Sequence, residues 1–163
     1  VYGGIRHWAH VVLGAQSNSV TGSFFDLFSG QTFSLAQAFV NQDSVQLVYF
    51  YDAVDLNTIA SPNANIDTSY FGGSSGLANW TVKNEVRYIQ IFNTEQEFSD
   101  CQNDSLIIAN IFPYATGKRK AKVLQPGHMY EFSFAGLYGI FYVHNVIGTD
   151  AGTIDISIKM QQP

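Results

Sequence analysis

The sequence predicts an α+β chain that is mainly β, an antiparallel sheet or sandwich of about seven strands with a C-terminal three-strand meander and two or three short helices. Three observations point there. In Met129–Phe134, Tyr130, Phe132 and Phe134 alternate with Glu131 and Ser133, and in Thr153–Met160, Ile154, Ile156, Ile158 and Met160 alternate with Asp155, Ser157 and Lys159. Such period-two patterning gives a strand one buried and one wet face. Short turn sequences, Ala135-Gly136 and Gly148-Thr149-Asp150-Ala151-Gly152, flank the apolar run Tyr138–Ile147, which suits a central strand covered on both faces. Finally, helical and strand signals come in blocks, not in the βαβ alternation of a doubly wound fold.

Taken in order, Trp8–Leu13 and Ser23–Phe28 read as strands separated by the polar turn Gln16–Gly22. Ser34 with Gln37 has capping-box spacing and opens a short helix through Phe39. Val45–Tyr51 is an apolar, β-branched and aromatic strand. From Asp52 to Asn79 the composition shifts to Asn, Ser, Gly and Pro62, and at about thirty residues this is too long for a routine connection. It is the first place to expect a partner-facing loop. Glu85–Phe92 resumes as a strand. Thr94 with Glu97 gives a second capping box, for a helix through Phe98 to about Cys101, and Asn103 is placed to cap another over Leu106, Ile107 and Ala109. No repeat or splitting linker appears, so residues 1–163 read as a single domain.

Composition bounds the function. Only 13% of residues are charged, against roughly 25% in average soluble domains, while 14 Ser, 9 Thr, 11 Asn and 11 Gln supply the polarity. With 13 Phe, 9 Tyr and 2 Trp the chain is too aromatic to be disordered, and a net charge of −5 disfavours general nucleic-acid binding. The single cysteine, Cys101, excludes an intramolecular disulfide. The longest apolar stretches, Val45–Tyr51 and Leu137–Val143, fall far short of the ~20 residues of a spanning helix. Opening on Val1-Tyr2-Gly3-Gly4, the chain reads as a mature or trimmed form of an exported protein.

No motif carries a convincing reaction. Gly72-Gly73-Ser74-Ser75-Gly76 matches the nucleophile-elbow pattern, with His128 and His144 downstream as bases for Ser74, but it lies in a Gly/Ser run without a strong preceding strand. His7 and His10, three apart on a strand, are expected to face opposite ways and not to share a metal. Asp52, Asp55 and Asn57 offer oxygen ligands to calcium without the spacing of an EF-hand loop. Glu95/Glu97 and Asp150/Asp155 are carboxylate pairs whose separation a sequence does not give. Neither a metal nor a cofactor is therefore expected. Lys118, Arg119, Lys120 and Lys122 concentrate half of the 8 basic residues, either as an anion-docking cluster or as a solvated turn guarding a strand edge. Tyr51, Tyr70, Phe71 and Trp80 lie in or beside the long loop and are the candidates for ligand or partner contact. Asn79-Trp80-Thr81 and Asn103-Asp104-Ser105 match the N-glycosylation sequon.

Several segments resemble an uncharacterised domain of Bacteroides-type exported lipoproteins: Leu13-Gly14-Ala15-Gln16, Gly22–Leu27 with Ser29–Phe33, Val45–Tyr51 followed by Thr58–Pro62, and above all the ending with Gly127, Tyr130, Phe132, Gly136–Ile140, Val143 and Gly152–Ile156. The resemblance implies a cell-envelope or surface protein whose lipidated cysteine would precede Val1 in a longer precursor. It also implies O-glycosylation at Asp-Ser followed by an apolar residue, which Ser44 and Ser105 satisfy. The expectation is a non-enzymatic outer-membrane module working in protein–protein assembly. A glycan-binding module using the loop aromatics and a small hydrolase with Ser74 as nucleophile are the alternatives.

Overall fold

The computed structural model describes Val1–Pro163 as two antiparallel sheets of five strands each. The first contains β1 (Ile5–Gly14), β6 (Arg87–Ile91), β8 (Met129–Phe134), β9 (Leu137–Ile147) and β10 (Thr153–Gln161), in the order β1-β10-β9-β8-β6. The second contains β2 (Phe24–Phe25), β3 (Thr32–Phe33), β4 (Leu47–Asp52), β5 (Leu56–Ala60) and β7 (Lys120–Ala121), in the order β3-β2-β4-β5-β7. Three short helices, α1 (Leu35–Val40), α2 (Glu95–Asp100) and α3 (Ser105–Ala109), complete the mainly-β architecture read from the sequence.

The meander β8-β9-β10 forms where the alternation places it, but the expected wet face is corrected: Glu131, Ser133, Ser157 and Lys159 are buried, because the outer face of this sheet is covered as well as the inner one. Ala135 and Gly136 both adopt positive φ, 51° and 82°, which gives the tight β8–β9 turn the twist of its flanking strands. Between the sheets, Ile154, Ile156, Ile158 and Met160 meet Phe25, Leu27, Leu47 and Tyr49 in the central core. Each such side chain contributes roughly 1.5–3 kcal/mol on full burial.

Both outer sheet faces are also covered, which produces two further cores. On the first sheet, Ile140, Tyr142 and Met129 pack under Phe98 of α2 and Ile107 of α3. Lys159, on that same face, donates through Nζ to the carbonyls of Phe98 at 2.6 Å and Cys101 at 2.8 Å, satisfying the C-terminal end of α2. Thr94 closes the other end with Glu97 in a complete capping box, as Ser34 and Gln37 do for α1. The α3 N-cap is Asp104, one residue later than expected. Asn103 still contributes, its Oδ1 accepting the Ser105 N–H at 2.9 Å.

On the second sheet, the outer face formed by Phe24, Val48 and Phe50 is covered by Ala38 of α1 and by the Asn/Ser/Gly-rich segment that follows β5. The segment from Asp52 to Asn79 is therefore not one long loop. Its first part is a tight β4–β5 turn, with Asp52 Oδ1 accepting the Val54 N–H at 2.8 Å, followed by β5 paired with β4 from Asp52↔Leu56 to Val48↔Ala60. Its remainder is a lid that folds down onto the sheet.

Candidate functional site

The lid decides where the loop aromatics go. Phe71 and Trp80 are only 3% and 6% exposed, and both rings pack on Phe24, with centroids 4.9 and 5.4 Å away. Trp80 Nε1 donates to the Ser75 carbonyl at 2.9 Å, so even its polar edge is used internally. Tyr70 packs half-buried on Phe50, and Tyr51 packs half-buried against the central core with its backbone clasped by the Gln16 amide. Phe71 and Trp80 thus hold the lid down and present no ring to solvent, because a sheet face as apolar as Phe24–Val48–Phe50 must be covered.

Ser74 stands exposed in a turn of this lid, where the carbonyls of Gly73 and Ser74 accept from the Asn79 side chain. His128 instead accepts the Gln125 N–H through Nδ1. The oxygens proposed for calcium are engaged elsewhere: Asp52 caps the β4–β5 turn, Asp55 pairs with lysines, and Asn57 Oδ1 accepts from the Tyr49 hydroxyl at 2.8 Å. Ser44 is half-buried at the end of a single 3₁₀ turn (Gln42–Ser44), and Ser105 is half-buried as the first residue of α3.

The basic cluster occupies a more consequential place. Lys118 exchanges backbone hydrogen bonds with Tyr88 on β6, at the edge of the first sheet, whereas Lys120 and Ala121 pair with Ala60 and Ile59 at the edge of the second. Residues 118–120 therefore cross from one sheet to the other. Gly117 permits the approach to β6, since a Cβ there would lie 2.6 Å from the Phe112 ring and 2.7 Å from Arg87 Cβ. Arg87 donates to the Gly117 carbonyl at 3.0 Å and pairs with Glu85, whose carboxyl is held down at about 2 by hydrogen bonds from Asn63 and Tyr114.

Beneath this crossing opens a groove of about 740 Å³. Tyr88 and Tyr130 lie along it, with Ile89 and Gln90 of β6 on one side, and Lys118, Arg119, Lys120 and Lys122 line it together. Two of the four cations share one carboxylate: Asp55 lies 3.4 Å from Lys120 Nζ and 3.2 Å from Lys122 Nζ. Arg119 donates to the Asn63 carbonyl and Lys120 to the Asn65 carbonyl, which steadies both side chains. Lys118 and Lys122 remain exposed to solvent. Along β6, alternate residues turn their amide and carbonyl to alternate edges. Because those of Tyr88 meet Lys118, those of Gln90 point to the same outer edge, beyond the crossing, where no strand of the sheet follows. Tyr88, Gln90 and Tyr130 were not candidates from sequence. The only signal of the groove was the cluster at Lys118–Lys122.

A second cleft, about 210 Å³, lies on the outer face of the first sheet beside α2. It holds His7, His10 and His144. The expectation that His7 and His10 face opposite ways is corrected here. Pairing runs Trp8↔Ile158 and then Val11↔Ile156, so Ala9 and His10 together oppose Ser157. This one-residue bulge shifts the alternation and puts both imidazoles on one face.

No family model matches the chain, and no curated protein matches it. In overall fold it is similar to the crystal structure of a DUF4466 family protein from Parabacteroides merdae, with a TM-score of 0.67 at 15% identity. The match covers 98% of this chain and 54% of that one, so the chain spans about half the length of that protein. At this identity the likeness is one of fold, shared with an uncharacterised domain from a bacterium of the Bacteroidetes.

Proposed function

We propose that the chain is a non-enzymatic binding module of the bacterial cell envelope, exported and anchored through a lipid on its precursor, which takes an acidic, extended segment of a partner protein into the groove beside β6. The supporting observation is a coincidence of place. Half of the basic residues of a chain with net charge −5 border its largest groove, next to an edge of β6 that has no strand beyond it. An added strand would exchange main-chain hydrogen bonds with Gln90, over a groove wall built on the buried Tyr88 and Tyr130. The surrounding lysines select against basic segments and speed encounter with acidic ones.

The test is isothermal titration with a glutamate-rich peptide of about eight residues, long enough for a typical strand. The chain binds it, and the double variant Lys118→Glu with Lys122→Glu, altering two solvent-exposed side chains, binds at least ~10-fold more weakly, about 1.4 kcal/mol. Equal affinity in the variant overturns the groove assignment. Binding of an acidic polysaccharide in place of the peptide, lost in the same variant, reassigns the groove to a glycan.

A further inference from the structure

The three strands β1, β10 and β9 carry two register shifts within a few residues of each other. The first is the bulge of β1 at Ala9–His10. The second lies between β10 and β9, where Asp155 pairs with Asn145 and Ile156 with Val143, leaving His144 as the extra residue. Bulges re-aim side chains and gather beside functional sites. Here two independent bulges, one on each strand flanking β10, turn an imidazole toward the same carboxylate.

We propose that His10, His144 and Asp155 form a binding site for a divalent transition metal ion of the zinc class. Their ligand atoms all lie within 4.8 Å of one another. His10 Nδ1 is 3.0 Å from Asp155 Oδ1, and the His10 and His144 rings approach with centroids 4.8 Å apart. His144 Nε2 is shielded from solvent and has no hydrogen-bond partner, leaving a buried nitrogen whose lone pair or proton goes unused. A metal ion resolves that orphan, and two imidazoles with one carboxylate are the donor set that zinc and its neighbours accept. Ligand atoms on a tetrahedral ion with ~2.0–2.1 Å bonds stand about 3.4 Å apart, so the site needs a contraction. The exposed His10 side chain can supply it by rotation. Three protein ligands leave a coordination position open toward the cleft, where His7, held at 3.0 Å from Ser157 Oγ, and Glu95 also lie. The site is separate from the basic groove and stands or falls independently of it.

The experiment uses the chelator-stripped chain titrated with zinc chloride by calorimetry, and with cobalt(II) chloride followed by visible absorption. One equivalent binds, with the cobalt spectrum reporting nitrogen and oxygen donors in a low-symmetry site. His144→Ala and His10→Ala each lower zinc affinity at least ~100-fold, Asp155→Asn lowers it at least ~10-fold, and His128→Ala leaves it unchanged. Circular dichroism and the melting temperature confirm that each variant is folded before it is scored. The proposal is overturned if the folded wild-type chain shows no binding tighter than millimolar. It is equally overturned if zinc binds with the same affinity after His10→Ala and His144→Ala.

Discussion

Asp55 and Lys122, one of the cations that line the groove, meet with Oδ1 and Nζ 3.2 Å apart, and the second Asp55 oxygen reaches Lys120 at 3.4 Å. One carboxylate thus holds two of the four groove cations in place while offsetting part of their field. It occupies the position that an incoming carboxylate would contest.

Replacing that carboxylate separates its two effects. In Asp55→Asn the lysines lose an internal competitor, and affinity for a glutamate-rich peptide rises several-fold at low salt. The gain shrinks at high salt because exposed charges are screened. Asp55 is itself largely buried, so the same variant loses about 1–3 kcal/mol of stability, read by urea denaturation. An unchanged or weaker peptide affinity in folded Asp55→Asn contradicts the electrostatic part of the account.

Trp80→Ala tests the lid. With the ring buried on Phe24 and its Nε1 hydrogen-bonded to Ser75, truncation opens a cavity and costs about 3–5 kcal/mol of stability. A surface ring used for ligand stacking would instead leave the melting temperature nearly unchanged when removed. Differential scanning calorimetry distinguishes these outcomes.

Glu131 predicts an unusual pH dependence. It is 0% exposed, neither carboxyl oxygen has a hydrogen-bond partner, and burial raises its pKa from 4.5 to about 9. Between these values the folded chain keeps the proton that the unfolded chain has released. This contribution is therefore fully present below about pH 4.5 and is lost as pH rises toward 9, at up to about 1.4 kcal/mol per pH unit. Glu131→Gln removes the titration. It melts above the wild type at pH 8, and the difference narrows toward pH 5. Parallel melting curves across that range contradict a buried, protonated Glu131.

The parts of this molecule that were legible in sequence are those where local chemistry and tertiary packing agree. Tyr130, Phe132 and Phe134 alternate because one face of β8 meets the core, and Ser34/Gln37 and Thr94/Glu97 cap helices with contacts inside one turn. β5 was hidden because Leu56-Asn57-Thr58-Ile59-Ala60 has no clean alternation, and its strand conformation comes from pairing with β4. Phe71 and Trp80 misled because a Gly/Ser/Asn-rich setting suggests a free loop. The counter-signal was the run Leu47–Phe50, apolar on both faces, which demands a cover on its outer side as well as its inner one. His10 was misplaced because a bulge is a property of two paired strands. The groove is likewise a meeting of β6 with residues 118–122, some thirty positions apart, and only its charge could be read in advance.

The most direct measurement is amide hydrogen exchange at Gln90 with and without the glutamate-rich peptide. An added strand on the outer edge of β6 gives the Gln90 N–H a partner, so its exchange slows at least ~10-fold on binding, while that of Tyr88, already bonded to Lys118, changes little. Unchanged Gln90 exchange under saturating peptide, or protection that appears on β1 instead, contradicts strand addition at the groove.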